Sequence, residues 1–238
     1  MNRLRSEKPR REALPATAAS LRRIYACLLE RFGPAGWWPG ETPFEVCVGA
    51  ILVQNTAWTN AAMALAVLRS RGLLDFVALR RVSASQLEPL IRSSGYYRVK
   101  ARRLRAFLGF LEARYGGRVE AMREERRFRL RAALLEVPGI GRETADSIVL
   151  YAAGLPLFVV DAYTRRVFAR LGLVSGDEPY DTLQRFFMER LPPRAGVYND
   201  FHAQIVVLGK DYCRARPLCG RCPLAEVCIR RGVGRRPA

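Results

Sequence analysis

Apolar residues recur at helical spacing through most of the chain, and the alternation that a half-buried strand needs is scarce, so the pattern predicts helix after helix. Thr42, Pro43 and Glu45 supply an N-cap, a first-turn proline and a capping-box glutamate ahead of FEVCVGAILVQN, and a buried helix is expected to start there. NAAMALAVLRSRG repeats the spacing and stops at Gly72, while Ser85 and Glu88 form a second capping box before LIRSSG. RVKARRLRAFLGFLEARYGG reads as a long amphipathic helix closed by a glycine pair. FRLRAALLEV then leads into the turn Pro138-Gly139-Ile140-Gly141, after which a new helix opens with Arg142, Glu143 and Thr144. The expected fold class is all-α, with no fixed-period repeat or low-complexity tract.

Composition adds a partner to this picture. Forty Lys and Arg against 22 Asp and Glu leave a net charge of +18 on 238 residues, an excess that points to a polyanion. Charge alone would also suit a membrane surface. Residues 1–20 read as a flexible basic arm, disordered or tracking phosphates. That arm leads into no apolar signal region, and no later run is long enough to span a membrane, so a cytoplasmic, nucleoid-associated location is expected. Only three of the forty basic residues are lysine: Lys8, Lys100 and Lys210.

The chemistry begins at the glycine turn. Gly139 and Gly141 let the backbone approach another surface without Cβ atoms, and the helix starting near Arg142 leaves its first N–H groups for a phosphate. Taken alone, such a turn is also a plain helix connection. Further on, the apolar run LPLFVV delivers Asp161 to the start of a helix carrying Arg165, Arg166 and Arg170, where Asp161 also has the ordinary reading of an N-cap. Together, VPGIGRETADSI and LPLFVVDAYTRRVFARLGL resemble the helix-hairpin-helix, Gly/Pro-rich, aspartate signature of the endonuclease III superfamily of DNA glycosylases, over roughly residues 40–230. The resemblance implies that Asp161 is the catalytic carboxylate, with Gly139, Gly141 and Arg142 among the DNA-binding residues.

Cys213, Cys219, Cys222 and Cys228 stand as C-x5-C-x2-C-x5-C and resemble the [4Fe-4S] loop of endonuclease III and its adenine-glycosylase relatives, one residue short in the first spacing. Structural zinc is the alternative ligand, and secreted disulfides do not fit a chain without a signal peptide. The cluster would present the basic Arg214, Arg216 and Arg221 to DNA without doing base chemistry. Cys27 and Cys47 read as buried core thiols.

By the same resemblance, Gln54 matches the residue that fills the gap left by a flipped base, Tyr96 falls where a wedge faces the opposite strand, and Lys100 lies beside it as a DNA contact. A polar helix end and a partly buried aromatic are the plain alternatives for the first two. Bifunctional members carry a lysine at the position of Glu143, whose amine attacks the sugar. Glutamate there predicts a water-using, monofunctional enzyme, although a first-turn carboxylate also simply suits a helix dipole. GRETADSIVLYA, VVDAYTRRV, FEVCVGAILVQNTAW and YNDFHAQIV look closest to the 3-methyladenine DNA glycosylase III branch, which also has paired tryptophans, so Trp37 and Trp38 would line the base pocket. That branch can lack the iron-sulfur loop that this chain has. His202, the only histidine, reads as structural or DNA-positioning.

The expected architecture is therefore a basic arm over 1–20, an iron-sulfur helical domain from 21–42 plus 157–238, and a six-helix domain over 43–156 carrying the hairpin. The expected activity is base-excision repair on double-stranded DNA containing a damaged base. The chain would act as a monomer and cleave the N-glycosidic bond of alkylated purines with Asp161 and Glu143 in the catalytic site. An endonuclease III-like glycosylase and lyase on oxidised pyrimidines, and a DNA-binding iron-sulfur protein without strong catalysis, stay open as alternatives.

Overall fold

Residues 12–35, 38 and 40–233 are described by the computed structural model, so Trp37 and the first eleven residues of the basic arm lie outside the described residues. Among the described residues every regular element is helical, as the apolar spacing predicts. The chain divides into two compact units. One comprises residues 36–159 and 193–199, the other residues 1–35, 160–192 and 200–238.

The first of these units opens with α2, Pro43–Leu52, which follows α1, Ala18–Phe32, in the chain. Thr42 caps it by accepting from the Glu45 amide at 3.1 Å. Glu45 departs from the expected reciprocal box: it is buried, accepts from the Glu41 amide at 3.3 Å, and pairs with Arg69 on α3, Trp58–Ser70. A carboxylate excluded from water needs a cationic partner, and Arg69 supplies it. Residues Phe44 to Leu52 are all buried, the signature of a helix that is apolar all round. After α4, Phe76–Arg81, the cap of α5, Ala84–Leu90, is Ser83 with Gln86, two residues ahead of the expected Ser85 and Glu88 pair. A 3₁₀ turn, Arg92–Ser94, leads to α6, Tyr97–Tyr115, whose Leu104, Phe107, Leu108 and Leu111 are buried. Gly117, at φ +82°, ends it where a Cβ would meet the Phe76 ring at 2.4 Å. The hairpin helices are α7, Arg127–Leu135, and α8, Arg142–Ser147. Helix α8 runs straight into a π-helical turn, Ile148–Ala152, with Ala153 N–H donating to the Ile148 carbonyl at 3.0 Å.

The other unit holds α1, Ala18–Phe32, α9, Ala162–Leu171, α10, Tyr180–Met188, and most of α11, Ala195–Asp211. Its core is aromatic. Phe168 meets Phe187 edge-on at 4.7 Å and Phe201 at 6.2 Å, and Phe201 touches Tyr25 at 5.0 Å. Tyr25 donates to Asp200 at 2.6 Å, and Asp200 also accepts from the Ala35 amide at 2.7 Å, so one carboxylate ties α1 and the chain after it to α11. Cys47 is fully buried as expected, whereas Cys27 is only half-buried.

Candidate functional site

In the unit that carries the hairpin, Gly139 sits at φ +87°, and a Cβ there would lie 2.4 Å from the Arg103 side chain. Only glycine meets both conditions. Gly141 is exposed with nothing near its missing Cβ, and Arg142 and Glu143 are exposed beside it, so the mouth of the hairpin is bare backbone flanked by charge. The two hairpin helices are clamped by a pair that the sequence reading missed: Arg131 on α7 donates to the fully buried Asp146 on α8 at 2.7 Å. It has no clear signal in the sequence, because Asp146 stands in the polar string RETADS.

Gln54 follows α2 and is docked onto the hairpin. Its amide donates to the Gly139 carbonyl at 3.0 Å and to the Thr144 hydroxyl at 2.9 Å, and its oxygen accepts from Arg103 at 2.5 Å. Tyr96 is 72% exposed and holds the left-handed backbone at φ +47°, which rules out the reading as a core aromatic. Lys100 differs from its expected place on the DNA surface. It is 1% exposed, and its ammonium donates to the carbonyls of Leu52 at 2.8 Å and Ser94 at 2.5 Å. Burial, with Arg103 nearby, pushes its pKa down to about 8. A phosphate contact from this side chain is therefore replaced by an internal one.

Trp38 packs edge-on to Trp58 with ring centres 5.2 Å apart and tilted against Tyr151 at the same distance. Gly49 makes room for it: a Cβ there would press on the indole nitrogen at 3.3 Å. The three rings are half-buried, so they form a partly open aromatic nest. Trp58 and Tyr151 were not foreseen, because each lies within a string that reads equally well as core. Tyr151 is carried by the π turn.

In the other unit Asp161 caps α9. Its Oδ1 accepts from the Thr164 amide at 2.7 Å and the Thr164 hydroxyl at 2.8 Å. Its Oδ2 lies 3.6 Å from Nε2 of His202, beyond a direct hydrogen bond, and both side chains are nearly buried. Burial holds the His202 pKa below the ordinary imidazole value against the opposing pull of Asp161, so the ring is neutral near pH 7. The cap occupies Oδ1 alone and leaves Oδ2 facing His202.

Arg165, Arg166 and Arg170 do not line a free basic face. Arg165 donates to the Glu178 carbonyl at 2.6 Å. Arg166 donates to the carbonyls of Cys213 at 2.7 Å and Gly209 at 2.9 Å, and Arg170 to those of Cys213 and Arg214 at 3.2 and 2.6 Å. These two guanidiniums bolt the cysteine loop to α9. The four cysteines line one cavity of about 30 Å³, beside Arg170 and Tyr212. Burial pushes the Cys222 thiol up to about 11, and Cys213, Cys228 and Cys219 add to the rise, so the sulfurs feel one another. A set of thiols converging on a cavity fits a group that brings positive charge and removes their protons. Among the described residues, no group of three or more His, Cys, Asp or Glu side chains is arranged to hold a single metal ion. Arg214, Arg216 and Arg221 are exposed on the loop.

Comparison with known proteins places these features in a group. The profile of the HhH-GPD superfamily of base excision DNA repair proteins matches residues 48–193. A candidate DNA repair glycosylase of Methanocaldococcus jannaschii is 43% identical over 208 residues, 87% of this chain and 94% of its own length. Endonuclease III of Bacillus subtilis is 30% identical over 79% of this chain and 81% of its own. Among solved structures, the H. pylori 3-methyladenine DNA glycosylase bound to 1,N6-ethenoadenine matches with a TM-score of 0.71 and 28% identity, covering 83% of this chain and 98% of that one. A trapped covalent endonuclease III–DNA intermediate matches with a TM-score of 0.76 and 27% identity, covering 89% and 95%.

Proposed function

The chain belongs to the HhH-GPD superfamily of base excision DNA repair proteins, and from that premise we propose that it is a monofunctional DNA glycosylase releasing alkylated purines from duplex DNA. The observation that carries the reading is Glu143, exposed on the first turn of α8 where lyase members of the family hold their amine. Of the lysines, Lys100 is buried against two carbonyls and Lys210 is exposed near the end of α11, far along the chain from the hairpin. A Schiff base at the sugar then lacks its usual nucleophile, and water takes its place.

The substrate class is supported by the nest of Trp38, Trp58 and Tyr151. N-alkylated purines are electron-poor and often cationic, so they gain more than normal bases from ring faces and edges. The likeness to a 3-methyladenine glycosylase carrying an ethenoadenine supports the same class. Gln54 would occupy the space of the extruded nucleotide and Tyr96 would press on the opposite strand. As the C1′–N bond breaks, positive charge develops on the sugar. The free Oδ2 of Asp161 would stabilise that charge and orient the water that adds at C1′, leaving an abasic site and the released base. Neutral His202 keeps a second charge away from that oxygen.

Cys213, Cys219, Cys222 and Cys228 would hold a [4Fe-4S] cluster, which when bound supplies a cross-link to the loop and no base chemistry. This loop and the likeness to endonuclease III favour a second substrate reading, oxidised pyrimidines.

A panel of duplexes containing 3-methyladenine, ethenoadenine or thymine glycol tests both readings. Release of the alkylated purines, with strand breaks only after alkali and no borohydride-trapped adduct, is the expected result. Release of thymine glycol with efficient trapping would overturn the proposal.

A further inference from the structure

Lys100 is a buried charged group that the proposed chemistry does not use. A buried ammonium is costly, and a methionine of similar length would fill the same space without that cost. What Lys100 does with its charge is specific. Leu52 is the last residue of α2 and Ser94 the last of the 3₁₀ turn, so the ammonium sits at two helix C-termini, where unpaired carbonyls and the dipole favour a cation. Each of those carbonyls comes two residues before a side chain given a DNA role: Gln54 after Leu52, and Tyr96 after Ser94. Left-handed backbone flanks both side chains: Asn55, directly after Gln54, is at φ +52°, and Gly95 and Tyr96 are at φ +67° and +47°. Residues in that region persist only when their surroundings hold them. One helical turn along, Arg103 holds the Gln54 oxygen and packs against Gly139.

We propose that Lys100 is a positioning residue that couples the Gln54 turn to the Tyr96 turn, so that gap filling and opposite-strand wedging occur as one event. The inference rests on the roles given above to Gln54 and Tyr96. It concerns how those two residues act together, whatever base is removed.

The test uses the full chain, loaded as purified, and a duplex with a tetrahydrofuran abasic analogue opposite 2-aminopurine, beside an undamaged duplex of the same length. Lys100→Met is expected to fold, with unchanged helical circular dichroism and unchanged affinity for undamaged DNA, which phosphates dominate. Its preference for the abasic duplex should fall by roughly tenfold, within the range of coupling between side chains that share one network, and the 2-aminopurine fluorescence change should shrink with it. Tyr96→Ala and Gln54→Ala should each cost less in the Lys100→Met background than in the wild type, a non-additivity that general loosening of the fold would not produce. Lys100→Gln, which keeps a neutral N–H donor group, should fall between and carries the same test if the methionine variant does not fold. A folded variant with full preference, or additive losses, overturns the proposal, as does failure of both variants to fold. Absence of any abasic preference in the wild type would instead overturn the gap-filling roles, and the proposal with them.

Discussion

Lys100 and Asp161 show how a single side chain carries more than its residue type announces. Because the folded chain pushes the Lys100 pKa down from its ordinary 10.5 to about 8, the folded state releases that proton near pH 8 while the unfolded state holds it to about 10.5. Between those values the unfolded chain binds more protons, so this lysine makes stability rise with pH. Denaturation midpoints of wild type minus Lys100→Met should therefore climb from pH 8 to 10; a flat difference would show an unshifted amine. For Asp161→Asn, release of the base should drop by at least 10²-fold, the scale for removing one group aimed at transition-state charge, with duplex binding kept. Equal release rates would mean that the reactive carboxylate is elsewhere. Asp161 was legible because an acid after an apolar run and before a helix is a strong local pattern. The depth of Lys100 was not, since a lysine at a helical position between tyrosines and arginines gives no sign of which carbonyls it will reach.

At the scale of elements, the hairpin combines a turn that the sequence announces with a clamp that it hides. Gly139 and Gly141 were readable as turn residues, while the Arg131–Asp146 pair depends on how α7 and α8 face each other. Asp146→Ala would leave Arg131, itself only 15% exposed, without its carboxylate, at a cost of about 3–5 kcal/mol. Thermal unfolding of that variant measures it, and a loss below about 1 kcal/mol would show the pair to be well solvated. The caps tell the same story. The Thr42 cap was read correctly, but Glu45 turned aside to Arg69, and Ser83 with Gln86 took the place expected of Ser85 and Glu88. The first miss came from a tertiary partner that local spacing cannot show, and the second from a spacing that two registers two residues apart both satisfy, a choice settled by packing. The π turn at 148–152 had no sequence signal, because one extra residue in a helix leaves the apolar spacing nearly intact.

Over the whole molecule, net charge and the cysteine spacing were the most legible features, and the arginines of α9 the least. Affinity for undamaged duplex should fall steeply with salt, with a log–log slope of several units; a flat response would leave the charge of +18 without its polyanion. Purified protein should contain about four irons per chain with broad visible absorption, and Cys222→Ser should lose that iron; one zinc per chain would exclude the cluster. Arg165, Arg166 and Arg170 read from the sequence only as basic residues on the helix after Asp161, and that they hold carbonyls is something no count of charges could reveal. Their placement gives α9 two ends with different duties. Asp161 caps its start, and Arg166 and Arg170 grip the cysteine loop near its finish, about 15 Å away along ten residues. Any loosening of that loop would reach one end of a short, stiff helix whose other end holds Asp161 in place.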